Sequence, residues 1–268
     1  MPSEVVRSTA ILSSKNPLLK EIRRAIARGE ATSDGFVVAE SFHLLEEAIR
    51  SNRPLQAVLA AASVQSAVEN HVRGLKGIRT TVLPDALFRE VTSTEASQGV
   101  IALVKPPEWN LEQLFRGRIM LVVLDGVQDP GNAGACVRSA EAFGATGVIF
   151  LKGSASPHNP KALRASAGSL FRLPYLAGLD PALARAAIEQ RRASLYVATP
   201  HGKLNLTEPD LTRGFAIIIG SEGHGVSQRL SAGALELRIP TVGVESLNAA
   251  VAAGIILYEA SRQRTLRR

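Results

Sequence analysis

The stretch Ile119-Met-Leu-Val-Val-Leu124-Asp125-Gly-Val-Gln-Asp-Pro-Gly131-Asn132-Ala-Gly134-Ala-Cys-Val-Arg138 decides the fold class. Its first six residues are an unbroken apolar run, which is what a parallel strand covered on both faces requires. A Gly-rich turn follows at once. Asn132 suits a helix N-cap, Gly134 lets another backbone come close, and Gly144 can end the helix about three turns later. The stretch therefore reads as strand, turn and helix. Arg138 stands among Ala133, Ala135, Cys136, Val137 and Ala140, small side chains that invite close packing, where a guanidinium calls for an anionic or carbonyl partner. The plain alternative is a solvated helix arginine.

Working outward, residues 147–151, 194–199 and 215–219 repeat the theme, each a short apolar run followed by a helix or a Gly-rich turn. Such runs build a buried parallel sheet. Toward the amino terminus, strand-like runs at 35–39, 57–59, 80–83 and 99–104 alternate with helical stretches at 42–50 and 63–72, as in a small α/β sandwich. Between the two parts lies Lys105-Pro106-Pro107-Glu108-Trp109-Asn110, where paired prolines favour an extended spacer. The expected organisation is a smaller amino-terminal α/β domain over residues 1–105, a linker over 106–118, and a larger α/β domain over 119–268. No internal repeat or low-complexity tract is present.

Two further segments carry chemistry. Gly220-Ser221-Glu222-Gly223-His224-Gly225 follows the run 215–219, at the carboxyl end of a buried strand, which is where open α/β sheets bind ligands. Its glycine order, G-x-x-G-x-G, is the reverse of the dinucleotide fingerprint, and Lys152 stands where a ribose-binding carboxylate would be expected. A nicotinamide site is disfavoured. Glu222 reads either as a helix-capping carboxylate or as a site residue. The third segment, Leu237-Arg-Ile239-Pro240-Thr-Val-Gly243-Val-Glu-Ser246-Leu247-Asn248, enters an apolar helix at 249–262, with Ser246 or Asn248 as its cap.

Composition bounds the partners. The chain has 268 residues, with 31 Lys and Arg against 24 Asp and Glu, a formal charge of +7. Residues 1–105 carry net +2 and residues 106–268 net +5, so the second part is the more anion-seeking. The longest apolar stretch, residues 249–257, falls short of the roughly 20 residues a bilayer span needs, and the amino terminus has no secretory pattern. No membrane role and a cytoplasmic location are expected. Cys136 is the single cysteine, which excludes an intrachain disulfide and a cysteine-based zinc site. His43, His71, His158, His201 and His224 lack metal-ligand spacing, and only His224 is a candidate pocket residue. The elbow and P-loop motifs of hydrolases and nucleotide triphosphatases are absent from the sequence. Lys15, Lys20, Arg23 and Arg24, and again Arg262, Arg264, Arg267 and Arg268, form basic groups that suit phosphates or simply solvated faces. Aromatic residues make up 4% of the chain, which favours recognition of RNA by shape and backbone over base stacking.

Together the three segments resemble the SpoU/TrmH family of RNA ribose 2′-O-methyltransferases, within the SPOUT superfamily. Asn132-x-Gly134-x-x-x-Arg138, Gly220-Ser-Glu222-Gly223-x-Gly225, and Ile239-Pro240 followed by Ser246-Leu247-Asn248 match the family's three motifs in order. The stretch from Asn159 to Pro174 is similar to the family's patterned middle, while Asn16-Pro17-Leu-Leu-Lys20, Phe36-Val-Val-Ala-Glu40 and Gln98-Gly99-Val-Ile-Ala102 resemble its amino-terminal substrate-binding domain. Thr241 replaces the methionine often found after the motif-three proline.

The resemblance implies a carboxy-terminal α/β domain with a trefoil knot, a homodimer formed through that domain, and S-adenosyl-L-methionine as methyl donor, held by backbone groups of Gly220, Ile239 and Leu247. It implies an RNA substrate, ribosomal RNA in preference to transfer RNA, and a site composed of Arg138, Asn132, Glu222, Ser246 and Asn248. Guanidinium keeps its proton at any ordinary pH. Arg138 is therefore expected to hold the phosphate or ribose and lower the hydroxyl pKa, while Glu222 or a nearby phosphate accepts the proton. A non-catalytic RNA-binding assembly factor that kept the fold is the competing reading.

Overall fold

The computed structural model describes residues 8–266 apart from 76, 79, 95, 96 and 222. Two compact units emerge. One comprises the described residues through Pro107 together with His158–Phe171, and the other Glu108–Pro157 together with the described residues from Arg172 onward.

The first unit begins with β1 (Ser8–Ala10), α1 (Pro17–Arg28), β2 (Val37–Glu40), α2 (Phe42–Arg50), β3 (Leu55–Ala61), α3 (Gln65–Val72), β4 (Thr80–Leu83), α4 (Asp85–Arg89) and β5 (Val100–Val104). Its sheet runs β1-β4-β3-β5-β2, with β5 antiparallel to both of its neighbours and the other pairs parallel. Helix α1 starts where the Asn16 side chain accepts the Leu18 N–H at 2.9 Å with Pro17 as its first residue, and it stops at Gly29 in the left-handed region. Its Leu19, Ile22 and Ala25 stripe packs on Leu59, Phe88 and Ile101.

The second unit adds α5 (Leu111–Leu114), β6 (Met120–Asp125), α6 (Pro130–Ala142) and β7 (Gly147–Leu151), leaves for α7 (Pro160–Ser166) in the first unit, and continues with β8 (Tyr175–Leu179), α8 (Pro181–Gln190), β9 (Ser194–Ala198), β10 (Leu204–Asn205), β11 (Phe215–Gly220), α9 (Gln228–Ser231), β12 (Leu235–Arg238) and α10 (Ala249–Leu266). Its seven strands run β10-β12-β9-β11-β6-β7-β8, and every neighbouring pair is parallel. The apolar runs read from the sequence are the buried centre of this sheet: β6 and β7 are buried along their whole length, and so are the first five residues of β11. From β6 the chain steps outward through β7 to β8, then crosses back, and β11 slots between β9 and β6. Connections diverge at the β6–β11 pair, leaving a crevice at the carboxyl ends of the strands.

Two local expectations need correction. The N-cap of α6 is Asp129, whose side chain accepts the Asn132 N–H at 2.8 Å, with Pro130 in the first helical position. Proline fixes the helical φ and has no N–H to lose there, so the helix begins earlier and Asn132 sits in its first turn. Within residues 106–118, Asn110 and Gln113 form a capping box, and Leu114 and Phe115 are buried in the core of the second unit with Leu121 and Ile149. The part around the paired prolines and residues 115–118 lack helix and strand.

The excursion His158–Phe171 has a polar anchor in the first unit. Glu40, at the end of β2, is almost fully buried; it accepts from Thr92 Oγ1 at 3.0 Å and from Ser93 N–H at 2.7 Å and pairs with the Arg164 guanidinium of α7. A buried carboxylate needs this much compensation, and losing one partner of such a pair typically costs several kcal/mol.

Candidate active site

The crevice at the carboxyl ends of β6 and β11 encloses about 480 Å³, within the usual range for small-molecule sites. The first Gly-rich turn lines it with Asp125, Gly126, Val127, Gln128, Asp129 and Asn132. The second turn supplies Gly220, Ser221, Gly223, His224, Gly225 and Ser227, and Gly153 and Ala249 complete it. Five lining residues are glycines, so main-chain amides and carbonyls face the cavity without side chains over them.

The walls are clipped into place. Asp125 and Gly220 are register partners on β6 and β11. Beyond them, Ser221 and Gly225 exchange two backbone hydrogen bonds of 3.1 and 2.9 Å, and the His224 N–H donates to Ser221 Oγ at 3.1 Å. A Cβ at Gly220 would lie 2.3 Å from the Gly225 carbonyl carbon, so only glycine permits so tight a hairpin. Asp125 Oδ2 accepts the Ser227 N–H at 2.7 Å across 102 residues of chain, pinning the far end of that loop to β6. On the other side Ser154 Oγ accepts from the Gly126 N–H at 3.0 Å and donates to the Leu124 carbonyl at 2.8 Å.

Asn132 and Asn248 meet at the rim, the Asn248 Nδ2 donating to Asn132 Oδ1 at 3.0 Å across 116 residues. Asn248 Oδ1 also accepts from the Ala250 and Val251 N–H groups at 3.0 and 3.3 Å, capping α10 as read from the sequence. The first and third segments thus join at an asparagine pair, and the first and second share the cavity. Ile239 and Leu247 are half-buried and Ser246 is exposed; none of the three is among the cavity-lining residues. Glu222 lies outside the described residues. Arg138 is exposed on α6 and makes no polar contact among the described residues, so the close packing suggested by its small neighbours does not include it. Sequence reasoning missed Asp125, Ser154 and Ser227. Position was the available signal for Asp125: it is the first polar residue after a buried strand.

Several cations read as phosphate contacts are spent inside the protein. Arg24 pairs with Glu21 at 2.7 Å, and Arg262 with Glu259 at 2.7 Å. Arg264 donates to the carbonyls of Leu211, Arg118, Ile119 and Arg213 at 3.1, 3.0, 2.7 and 2.9 Å and lies over the Phe215 ring. Burial, with the nearby Arg118 charge, lowers its pKa to about 10. Such a fork of donors fits a cluster of carbonyls, which is why this arginine turns inward. Arg267 and Arg268 lie outside the described residues. Among the described residues, no group of His, Cys, Asp or Glu could hold a metal ion, and no helix is long and apolar enough to cross a membrane.

An open parallel sheet with a glycine-walled cavity at its switch point defines an α/β enzyme that binds a small ligand. The sequence profile of the SpoU rRNA Methylase family matches residues 119–258, and that of the MRM3-like substrate binding domain matches residues 16–102. A 23S rRNA (guanosine(2553)-2′-O)-methyltransferase of Bacillus subtilis is 33% identical over 256 residues, covering 92% of this chain and 97% of that protein. A 23S rRNA (uridine(2479)-2′-O)-methyltransferase of Streptomyces viridochromogenes is 36% identical over 201 residues, 71% of this chain and 70% of that protein. The crystal structure of the SpoU methyltransferase AviRb from Streptomyces viridochromogenes, in complex with AdoMet, matches with a TM-score of 0.83 at 27% identity, covering 94% of this chain and 100% of that one. The chain belongs to the SpoU rRNA methylase family. It is an S-adenosyl-L-methionine-dependent RNA ribose 2′-O-methyltransferase with a smaller amino-terminal domain.

Proposed function

We propose that this chain methylates a ribose 2′-hydroxyl in ribosomal RNA, with the acceptor ribose in the cavity at the ends of β6 and β11 and the donor beside it. The observation that carries this reading is the character of the cavity. It is glycine-walled, it contains Asp125 and Asp129 but no lysine or arginine among its lining residues, and an asparagine pair stands at its rim. Walls that present main-chain amides and carbonyls and a side-chain amide suit the hydroxyls of a sugar. S-adenosyl-L-methionine, when bound, would supply an electrophilic sulfonium methyl and leave as a neutral thioether.

The protein's tasks are alignment and the handling of one hydroxyl proton. In this reading backbone groups of Gly220, Ile239 and Leu247 hold the donor. Asn132 and Asn248, fixed by their mutual hydrogen bond, orient the ribose, and Ser246 in the preceding loop assists them. Arg138, with no partner among the described residues, is available to an RNA phosphate or ribose and lowers the hydroxyl pKa by its charge. Glu222 or an RNA phosphate accepts the proton.

A homodimer belongs to the same proposal. Ala135 and Ser139 of α6, Phe143 just after it, and Val251, Gly254, Ile255 and Tyr258 of α10 line an apolar groove in which Val251 and Tyr258 remain 50% and 56% exposed. A contiguous apolar surface of this kind favours a second copy of the chain. The carboxy-terminal knot and the preference for ribosomal over transfer RNA rest on the family resemblance.

The test is to map ribose 2′-O-methylation across total RNA from cells with and without the gene, followed by transfer of labelled methyl groups to purified ribosomal RNA. Loss of one ribosomal mark, restored by the purified protein, is expected. Binding of RNA with no methyl transfer would favour the assembly-factor reading, and a lost mark in transfer RNA would overturn the choice of substrate.

A further inference from the structure

We infer that Lys152 is a substrate-binding residue whose ammonium holds a phosphodiester flanking the acceptor ribose, an inference that rests on the ribose occupying the cavity at the ends of β6 and β11. A nucleotide within RNA brings a negative charge on each side of its sugar. The walls of this cavity offer those charges no cation: they include Asp125 and Asp129 and no lysine or arginine. The counter-charge has to come from beside the walls. Lys152 is the one lysine or arginine that directly adjoins a lining residue in the chain, its neighbour being Gly153. Its side chain is exposed and makes no ion pair among the described residues.

The fold fixes where this lysine stands. Strand β7 lies beside β6, and just past its carboxyl end the Lys152 N–H donates to the Leu179 carbonyl of β8 at 3.0 Å. The turn that follows is tied to the end of β6 and to the first Gly-rich turn. Ser154 Oγ accepts from the Gly126 N–H and donates to the Leu124 carbonyl, and the Ala155 N–H donates to the Val127 carbonyl at 2.9 Å. A Cβ at Gly153 would meet no atom within 4 Å, so the space in front of this turn is open. The backbone is held at the cavity edge, while the long lysine stem can carry its charge to a phosphate. In dinucleotide folds the corresponding strand end decides what the ribose carries: a carboxylate there takes a free hydroxyl, and a nearby cation takes a phosphate. Lysine in place of the carboxylate suits a sugar that bears phosphate. Arg138 comes from α6, a different element, so one cation can serve the reacting hydroxyl while the other retains the strand.

The experiment measures binding of ribosomal RNA to the full-length protein across a range of salt concentrations, with steady-state methyl transfer alongside, for the wild type, Lys152→Ala and Lys152→Arg. Lys152→Ala is expected to flatten the slope of log affinity against log salt by about 0.7–0.9, the contribution of one phosphate contact. It should raise KM for RNA about three-fold or more, with kcat at saturating RNA within about two-fold of wild type. Lys152→Arg keeps the charge and is expected to restore the slope. Lys152→Gln, a stem of similar length without the charge, should match the alanine variant and carries the test if that variant fails to fold. An unchanged slope in the uncharged variants overturns the inference, and so does a fall in kcat with KM for RNA unmoved. A wild type that binds ribosomal RNA but transfers no methyl group to it overturns the methylation reading and takes this inference with it, whereas an unchanged slope overturns the inference alone.

Discussion

Asn248 performs two tasks that substitution can separate. Its side-chain oxygen caps α10, and its amide nitrogen holds Asn132 at the cavity rim. Asn248→Ala removes both. Loss of an N-cap costs about 1 kcal/mol and loss of one hydrogen bond of this kind costs about 1 kcal/mol more, so unfolding free energy should fall by about 2 kcal/mol. Asn248→Asp separates the effects. A carboxylate caps at least as well and is favoured by the helix dipole, but it has no proton to offer Asn132 Oδ1. Its stability should stay within about 1 kcal/mol of wild type while single-turnover methyl transfer drops about tenfold or more, because misplacing a positioning group by a fraction of an ångström is costly in rate. Urea unfolding followed by circular dichroism, alongside quench-flow transfer of labelled methyl groups, reads both quantities. Full turnover in Asn248→Asp would show that the asparagine bridge has no part in alignment, and a stability loss under about 0.5 kcal/mol in Asn248→Ala would show that the cap is not formed in solution.

Three further outcomes are expected. Arg138→Ala should reduce turnover at saturating RNA at least about 10²-fold, the scale of one preorganised electrostatic contact, while unfolding free energy moves by less than about 0.5 kcal/mol because the side chain is exposed and has no partner among the described residues. Arg264→Ala takes a donor from four carbonyls, two of them in partly buried bonds, and should cost about 2–3 kcal/mol in thermal or urea unfolding, with Arg264→Lys recovering only part of the loss for want of the planar fork. The Arg24 guanidinium, helped by the Ser33 N–H, holds Glu21 down at about 2, below its ordinary 4.5, so its stabilising contribution is complete above pH 4.5 and fades as pH falls toward 2. Urea midpoints of wild type and Glu21→Gln should therefore differ at pH 6, draw together as pH falls below 4.5 and converge only near pH 2, and a constant gap would refute the pairing.

The second unit was the more legible from sequence, because strands buried on both faces must be continuous apolar runs, and β6, β7 and β11 are such runs. The edge strands β8 and β10 and the outer strand β12 carry weaker patterns: β8 has exposed Ala177 and Gly178, β10 is two residues long, and β12 buries only Leu237. In the site, Gly220 and Asn248 were legible because a tight glycine turn and capping chemistry leave local signatures, whereas the cap expected at Asn132 is made by Asp129. The partners of Asp125 and Glu40 were not, since Ser227 lies 102 residues from the first and Arg164 lies 124 residues from the second. Nor does any local feature separate an outward arginine such as Arg138 from an inward one such as Arg264; that depends on which carbonyls the fold brings within reach.

The detour of His158–Phe171 into the first unit has a bearing on modular descent. The polypeptide passes between the two units three times, after Pro107, Pro157 and Phe171. No single scission can release one unit whole: a fragment starting at Glu108 would carry Leu163, Ser166 and Phe171, all buried in the intact chain, without the rest of the unit they belong to. Recombination that exchanges the amino-terminal half for another domain must therefore replace this inserted loop as well, which ties the two halves into one heritable unit.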